Sequence, residues 1–218
     1  MAPLVLYHFP VSPPSRSVLL VIRNLELDVE IKVLNLMAGE HMQEDFIKIN
    51  PQHTVPTIVD DEYVLWESKA IITYLVEQYN PESDLYPTDP KLRGIVNQRL
   101  YFDSTVLYAR VFSAVVPVMR QAATSIPQEK KDAIKDALRT LDGYLDGQDW
   151  TTGENCTVAD LCLLATVSTI DKIGLDLSEF DNVSAWYDRC SSLPGYDENG
   201  EGAEAFGGFI KSKLDEPF

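Results

Sequence analysis

The chain has 218 residues, 45% of them hydrophobic and 24% charged, which is enough apolar length to bury the core of one large soluble domain or two modest ones. Its 34 acidic residues against 18 basic ones give a formal net charge of −16, which argues against a nucleic-acid backbone or an anionic membrane surface as partner. Cys156, Cys162 and Cys190 form neither a CxxC pair nor a metal-ligand set, so they read as thiols of a reducing compartment and no metal site is expected.

The opening segment MAPLVLYHFP lacks a basic start and a long apolar stretch, and no run approaches roughly 18 consecutive apolar residues. The expectation is a cytoplasmic chain without leader or membrane span. Residues 4–7 are a short apolar run of strand formers, ended by the proline- and serine-rich FPVSPPSRS at 9–17. From 16 to 25, Val18, Leu19, Val21, Ile22 and Leu25 fall at helical spacing. DVEIKVLNL alternates, with Val29, Ile31 and Val33 on one side and Glu30 and Lys32 on the other, as a half-buried strand does. AGEHMQEDFIKIN reads as a loop and one short helix. VPTIVDDEYVLWES reads as a hairpin, with strands at 57–59 and 63–66 around Asp60-Asp61-Glu62. ESKAIITYLVEQY then places Ile71, Leu75 and Tyr79 in helical register. The order is β-α-β-α-β-β-α, an α/β unit whose mixed sheet has its first two strands parallel and its last two antiparallel.

NPESDLYPTDP at 80–90 is a proline-rich, polar linker, after which the strand signal fades. Residues 91–121 and 128–147 read as long helices. Thr157 and Asp160 make a capping box at the start of another, with Cys156 and Leu161 at staple positions. A further helix spans about 179–192, and the tail GYDENGEGAEAFGGFIKSKL reads as glycine-rich and then briefly helical. The expected division is an α/β domain over 1–82, a linker over 83–90 and an all-α domain over 91–218.

Four features carry chemistry. Ser12 stands where the first strand hands over to the first helix. A helix start offers unpaired N–H groups and partial positive charge to an anion, and a hydroxyl there suits a thiolate. Equally, Ser12 or Ser15 reads as a helix cap. Val55-Pro56 lies directly before a strand. A cis bond there turns the Val55 backbone outward to pair with an extended peptide, whereas a trans bond makes it a plain strand entry. Glu67 and Ser68 at a helix start suit an ammonium and a carboxylate, the two charges of an amino-acid head group, or simply cap a surface helix. His41 and His53, in polar segments, suit a second carboxylate.

The segments LVLYHFPVSPPSRSVLL, LNLMAGEHM, INPQHTVPTIVDD, LWESKAIITYLVEQY, LYPTDPKLRG, NQRLYFD and TVADL resemble the cytosolic glutathione S-transferases, specifically the insect delta and epsilon classes, over nearly the full length. SPPSR and LPGYDENGEGA look more like epsilon, NQRLYFD and WES more like delta. The resemblance implies a thioredoxin-like N-terminal domain (βαβαββα) followed by a helical one. It also implies an enzyme that conjugates reduced glutathione, its co-substrate, to hydrophobic electrophiles in xenobiotic detoxification, with no prosthetic group. On it, Ser12 hydrogen-bonds the glutathione sulfur and stabilises the thiolate, and Glu67 and Ser68 hold the γ-glutamyl head. Val55, beside cis Pro56, pairs with the cysteinyl unit, and His41 and His53 approach the glycine carboxylate. Lys69, where delta members tend to carry arginine, joins this set but loses the bidentate fork. Ser15, where they carry cysteine, removes any CxxC-like redox pair.

The resemblance further places a hydrophobic substrate against the helical domain, where Tyr108, Phe112, Val115 and Met119 fall at roughly helical spacing and Phe206 and Phe209 are expected to close the pocket from the tail. Val115 and Met119 equally read as core. It implies a homodimer, with Tyr101 and Phe102 as candidate interface aromatics. Peroxide reduction and dehydrochlorination are left open as side activities.

Overall fold

The computed structural model describes residues 3–218; Met1 and Ala2, at the head of the segment read for a leader, lie outside them. Strand β1 (Leu4–His8) leads into helix α1 (Pro13–Asn24), then β2 (Val29–Val33). Two single 3-10 turns, Leu36–Ala38 and Glu40–Met42, precede the short α2 (Glu44–Ile49). Next come β3 (Thr57–Asp60), β4 (Tyr63–Trp66) and α3 (Ser68–Tyr79). The sheet order is β2-β1-β3-β4: β1 and β2 run parallel in the register Leu4↔Val29 to His8↔Val33, and β3 pairs antiparallel with both β1 and β4. This is the expected βαβαββα unit. A right-handed crossover through α1 is what brings two strands separated by a helix side by side.

The helical part comprises α4 (Pro90–Phe102), a π turn (Asp103–Leu107), α5 (Tyr108–Met119), α6 (Gln128–Tyr144), α7 (Val158–Ile173), α8 (Asp181–Cys190) and α9 (Tyr196–Lys211). Helix α7 is the axis of the domain. Every residue from Val158 to Ile170 is buried, the polar Asp160, Thr166, Ser168 and Thr169 among them being hydrogen-bonded. Its N-terminus is fixed as its sequence suggests, with the Asp160 carboxylate accepting from the Thr157 N–H at 2.9 Å and hydroxyl at 3.0 Å. The same buried carboxylate accepts from Thr151 and from Trp186 Nε1. The connection after α3 is tied down, with Tyr86 buried and the Leu85 carbonyl accepting from the Val158 N–H at 2.8 Å.

Four expectations change. The helix expected over 91–121 is two α-helices joined by the π turn. The tail is not a glycine-rich loop with a brief helix but a sixteen-residue helix. Its glycines allow close docking: a Cβ on Gly202 would meet the Pro10 carbonyl oxygen at 2.2 Å, and one on Gly207 the Lys172 carbonyl oxygen at 2.2 Å. Val33, expected on the buried side of its strand, is 58% exposed at the sheet edge. Phe102 packs inside its own domain, edge-on to Tyr144 at 5.2 Å, while its neighbour Tyr101 is exposed.

Helix Pro90–Met119 is, by length and composition, long and apolar enough to cross a membrane. Asp103, buried in an ion pair, and Arg110, bonded to Asp136, interrupt it, and Val96, Leu100, Leu107 and Val111 belong to the core.

Candidate functional site

The sheet register gathers the predicted residues at one end of the molecule. The carboxyl end of β1 opens into the turn that carries Ser12. Strand β3 begins at Thr57, opposite Tyr7, so Val55 and Pro56 enter the sheet at this end. Trp66 pairs with Thr57, so Glu67 leaves β4 at the same end. At the same end the Leu34 N–H bonds the His8 carbonyl at 2.8 Å, so the segment bearing His41 leaves from there too. Ligands of open α/β sheets bind beyond the carboxyl ends of the strands, which is where these residues lie.

Ser12 is the N-cap residue of α1, yet its side chain makes no capping hydrogen bond. Its N–H donates to the Phe9 carbonyl at 2.9 Å, and the Ser15 hydroxyl accepts, at 3.4 Å, from the Phe9 N–H. The Ser12 hydroxyl is therefore not consumed by its own helix. Pro13 and Pro14 occupy the first two helical positions and have no N–H to offer. The helix start is thus a poorer anion site than its position suggests, and more of the burden of holding an anion falls on the hydroxyl.

Glu67 repeats the pattern at α3. It precedes the helix without capping it, and it sits at φ 74° and ψ 106°, a conformation that costs a non-glycine residue about 1–3 kcal/mol. The strain leaves the carboxylate exposed beside Ser68, which is buried at the first position of the helix. The Val55-Pro56 bond is cis. His41 and His53 come together with ring centroids 6.2 Å apart, and His41 Nδ1 is buried without a partner.

Above Ser12 lies an apolar pocket of about 200 Å³, lined by Phe9, Val11, Ser12, Pro13, Leu36, Tyr108, Val111, Phe112, Val115, Met119, Thr169 and Phe206. Five of the six residues expected around a hydrophobic substrate, Tyr108, Phe112, Val115, Met119 and Phe206, share this wall with Ser12. Phe209 does not, and it lies instead beneath the Lys213 ammonium. The Tyr108 and Phe112 rings stack at 5.7 Å. Burial pushes the Tyr108 hydroxyl up to about 12, so it is a protonated donor at neutral pH. Leu36, Val111 and Thr169 join the wall from elements that sequence spacing could not bring together. A wider cavity, of about 300 Å³, lies behind β1 between α1 and α9, away from this wall.

Lys69, in the first turn of α3, is paired within the protein. Its ammonium lies 2.6 Å from Asp103 in the π turn. Burial alone would pull its proton affinity down; the Asp103 charge and hydrogen bond outweigh this and raise it. The three cysteines are reduced, and burial pushes each thiol up, Cys162 to about 12, so none is an activated nucleophile.

Comparison with known proteins gives the chain's family. The family model for the glutathione S-transferase N-terminal domain matches residues 6–83, and that for the C-terminal domain matches residues 108–194. Glutathione S-transferase D7 of Drosophila melanogaster is 43% identical over 201 residues, covering 91% of this chain and 89% of the relative. Among solved structures, glutathione S-transferase unclassified 2 from Bombyx mori superposes with a TM-score of 0.95 at 41% identity, covering 99% of this chain and 100% of its own. A delta-class glutathione transferase of Nilaparvata lugens superposes at 0.93 with 43% identity, covering 97% and 100%. With both halves matched and relatives aligned over nearly their whole length, the chain belongs to the glutathione S-transferase family of enzymes.

Proposed function

We propose that this enzyme conjugates reduced glutathione to hydrophobic electrophiles, with the Ser12 hydroxyl donating to the glutathione sulfur and stabilising its thiolate. The observation that carries the reading is the placement of Ser12: an N-cap hydroxyl not used as a cap, set in the wall of an apolar pocket. Held beside that wall, a thiolate meets an apolar electrophile at high effective concentration, and the rate comes from proximity and from thiolate formation.

In this reading Glu67 takes the glutathione ammonium and Ser68 the adjoining carboxylate. Val55, next to Pro56, pairs its backbone with the cysteinyl unit, and His41 and His53 face the glycine carboxylate. Lys69 serves indirectly, by anchoring the first turn of α3 to Asp103. Tyr108, Phe112, Val115, Met119 and Phe206 form the electrophile pocket, and Phe209 has no direct part. Residues 1–82 form the glutathione-binding domain, 83–90 the connection and 91–218 the domain supplying the pocket. The role is detoxification in the cytoplasm, as a homodimer whose interface includes the exposed Tyr101.

The test is turnover of a chloronitroarene by Ser12→Ala. A loss of about a hundredfold in kcat is expected for removal of one such donor, with the KM for glutathione little changed. Undiminished turnover refutes the serine's role.

A further inference from the structure

Arg16 is 2% exposed, yet among the described residues no carboxylate lies within ion-pair distance of it. Its Nη1 donates to Ser168 Oγ at 3.1 Å, to the Asn199 carbonyl at 3.0 Å and to Asn199 Oδ1 at 2.6 Å. Its Nη2 donates to the Ala165 carbonyl at 3.2 Å and to Thr169 Oγ1. All five acceptors are neutral, and Nε has no partner. Burying a cation among neutral groups is costly, and a chain with so many carboxylates has had ample means to neutralise it. A charge left uncompensated in the folded chain is available to an anion from outside.

Arg16 lines the outer cavity on one side and reaches the Ser12 pocket on the other through Thr169. Arg16 is one helical turn beyond Ser12, its N–H donating to the Ser12 carbonyl at 2.9 Å. Thr169, whose hydroxyl it grips, is itself part of the pocket wall beside Ser12. Pro13 and Pro14 have stripped the helix start of donors, so the usual source of positive potential at such a turn is weakened.

We propose that Arg16 is the buried counter-charge for the sulfur of bound glutathione, acting through space and across Thr169 to favour the thiolate held at Ser12. This rests on the thiolate reading above. Arg16 touches neither sulfur nor electrophile; no bond forms to it, and the thiol proton leaves to solvent.

The groups that face Arg16 leave its charge intact at neutral pH. His8 on β1 is held neutral, at about 4, by burial. Tyr108 on α5 and Tyr187 on α8 are both pushed up by burial and stay protonated. Glu198 on α9 is bonded by Arg23 at 2.9 Å, and Glu201 is exposed at the rim of the outer cavity. One helical turn plus a side chain sets the guanidinium on the order of 10 Å from a sulfur held at Ser12. At an effective dielectric of about 20, a unit charge at that range shifts a titration by about one unit.

The decisive variant is Asn199→Asp. It keeps an acceptor on Nη1 and cancels the charge in place, so a purely structural Arg16 is served as well or better. The thiol of bound glutathione is titrated through its ultraviolet thiolate band, in the wild type, Asn199→Asp, Arg16→Gln, Arg16→Lys and Ser12→Ala. The expected result is a thiol titration raised by about one unit in Asn199→Asp and Arg16→Gln, with thermal stability of Asn199→Asp retained and with Arg16→Lys close to wild type. A titration in Asn199→Asp that coincides with wild type overturns the proposal. Ser12→Ala separates the two ideas: if it alone leaves the titration unmoved, the serine reading fails and the counter-charge stands; if it alone raises it, the counter-charge fails and the serine reading stands.

Discussion

Lys69 Nζ lies 2.6 Å from Asp103 Oδ2, a bond that joins the first turn of α3 to the π turn between α4 and α5. The same carboxylate accepts from Thr166 Oγ1 at 2.6 Å and Cys162 Sγ at 3.3 Å, so an element of the sheet unit and two of the helical domain meet at one buried anion. Because the strained Glu67 precedes α3 and Ser68 begins it, this junction also fixes the end of α3 that the proposed reading gives to glutathione. Asp103→Asn leaves the Lys69 ammonium without its counter-ion and is expected to cost about 3 kcal/mol. Thermal unfolding should report a loss of roughly 6–12 °C, and steady-state kinetics a higher KM for glutathione.

His8 gives the fold a definite response to acid. Burial, reinforced by the Arg16 charge and only partly opposed by Glu198, lowers its folded value to about 4, against 6.5 unfolded. Between those values the unfolded chain binds the extra proton, so stability is complete above 6.5 and falls as pH drops toward 4. Urea unfolding at pH 7.5 and 5.5 should differ by about 1 kcal/mol from this group, and His8→Gln should remove that part of the difference. An identical difference in the variant would rule the histidine out as its source.

Neighbouring glycines of α9 should behave oppositely. Gly208 has nothing within 4 Å of a Cβ, so Gly208→Ala is expected to stabilise by about 0.5–1 kcal/mol through helix propensity. Gly207→Ala drives a methyl into the Lys172 carbonyl and should destabilise by about 1–3 kcal/mol. Gly202→Ala strikes the Pro10 carbonyl and the Arg16 side chain, so it should also lower kcat, an effect Gly207→Ala should lack. Paired thermal melts and conjugation rates check all three.

Phe112 is 47% exposed in the pocket wall. Phe112→Ala removes about 1 kcal/mol of apolar contact and should raise the KM for a chloronitroarene about fivefold, with the glutathione KM unchanged. A shift in both constants would mean that the ring supports the glutathione end as well.

Much of this fold is written locally. The alternation around Ile31, the acidic turn at Asp61 and the Thr157–Asp160 box each act within a few residues, and each matches the structure. The π turn escapes because its neighbours on both sides keep a helical period, and the extra residue leaves only a shift of phase. Helix α9 escapes for a different reason: Gly202 and Gly207 lower local helix propensity, and only the carbonyls of Pro10 and Lys172, far away in sequence, explain why no side chain fits. The partners of Lys69 and Arg16 lie 34 to 183 residues distant, beyond any spacing rule. At the candidate site the residue types in the turn after β1, just before β3 and at the start of α3 were legible, whereas Thr169 and Leu36 were placed by tertiary packing alone.

The single wide turn at Asp103–Leu107 makes the cleft alterable in one stroke. Shortening the chain there by one residue would restore an ordinary helix and rotate everything after it by about 100°. Ala109, Ser113, Val116 and Arg120 would then stand where Tyr108, Phe112, Val115 and Met119 stand now. A lineage that lost one codon at this spot would swap two aromatic rings of one wall for smaller side chains and bring a cation to its far end, without altering any amino acid in either flanking helix.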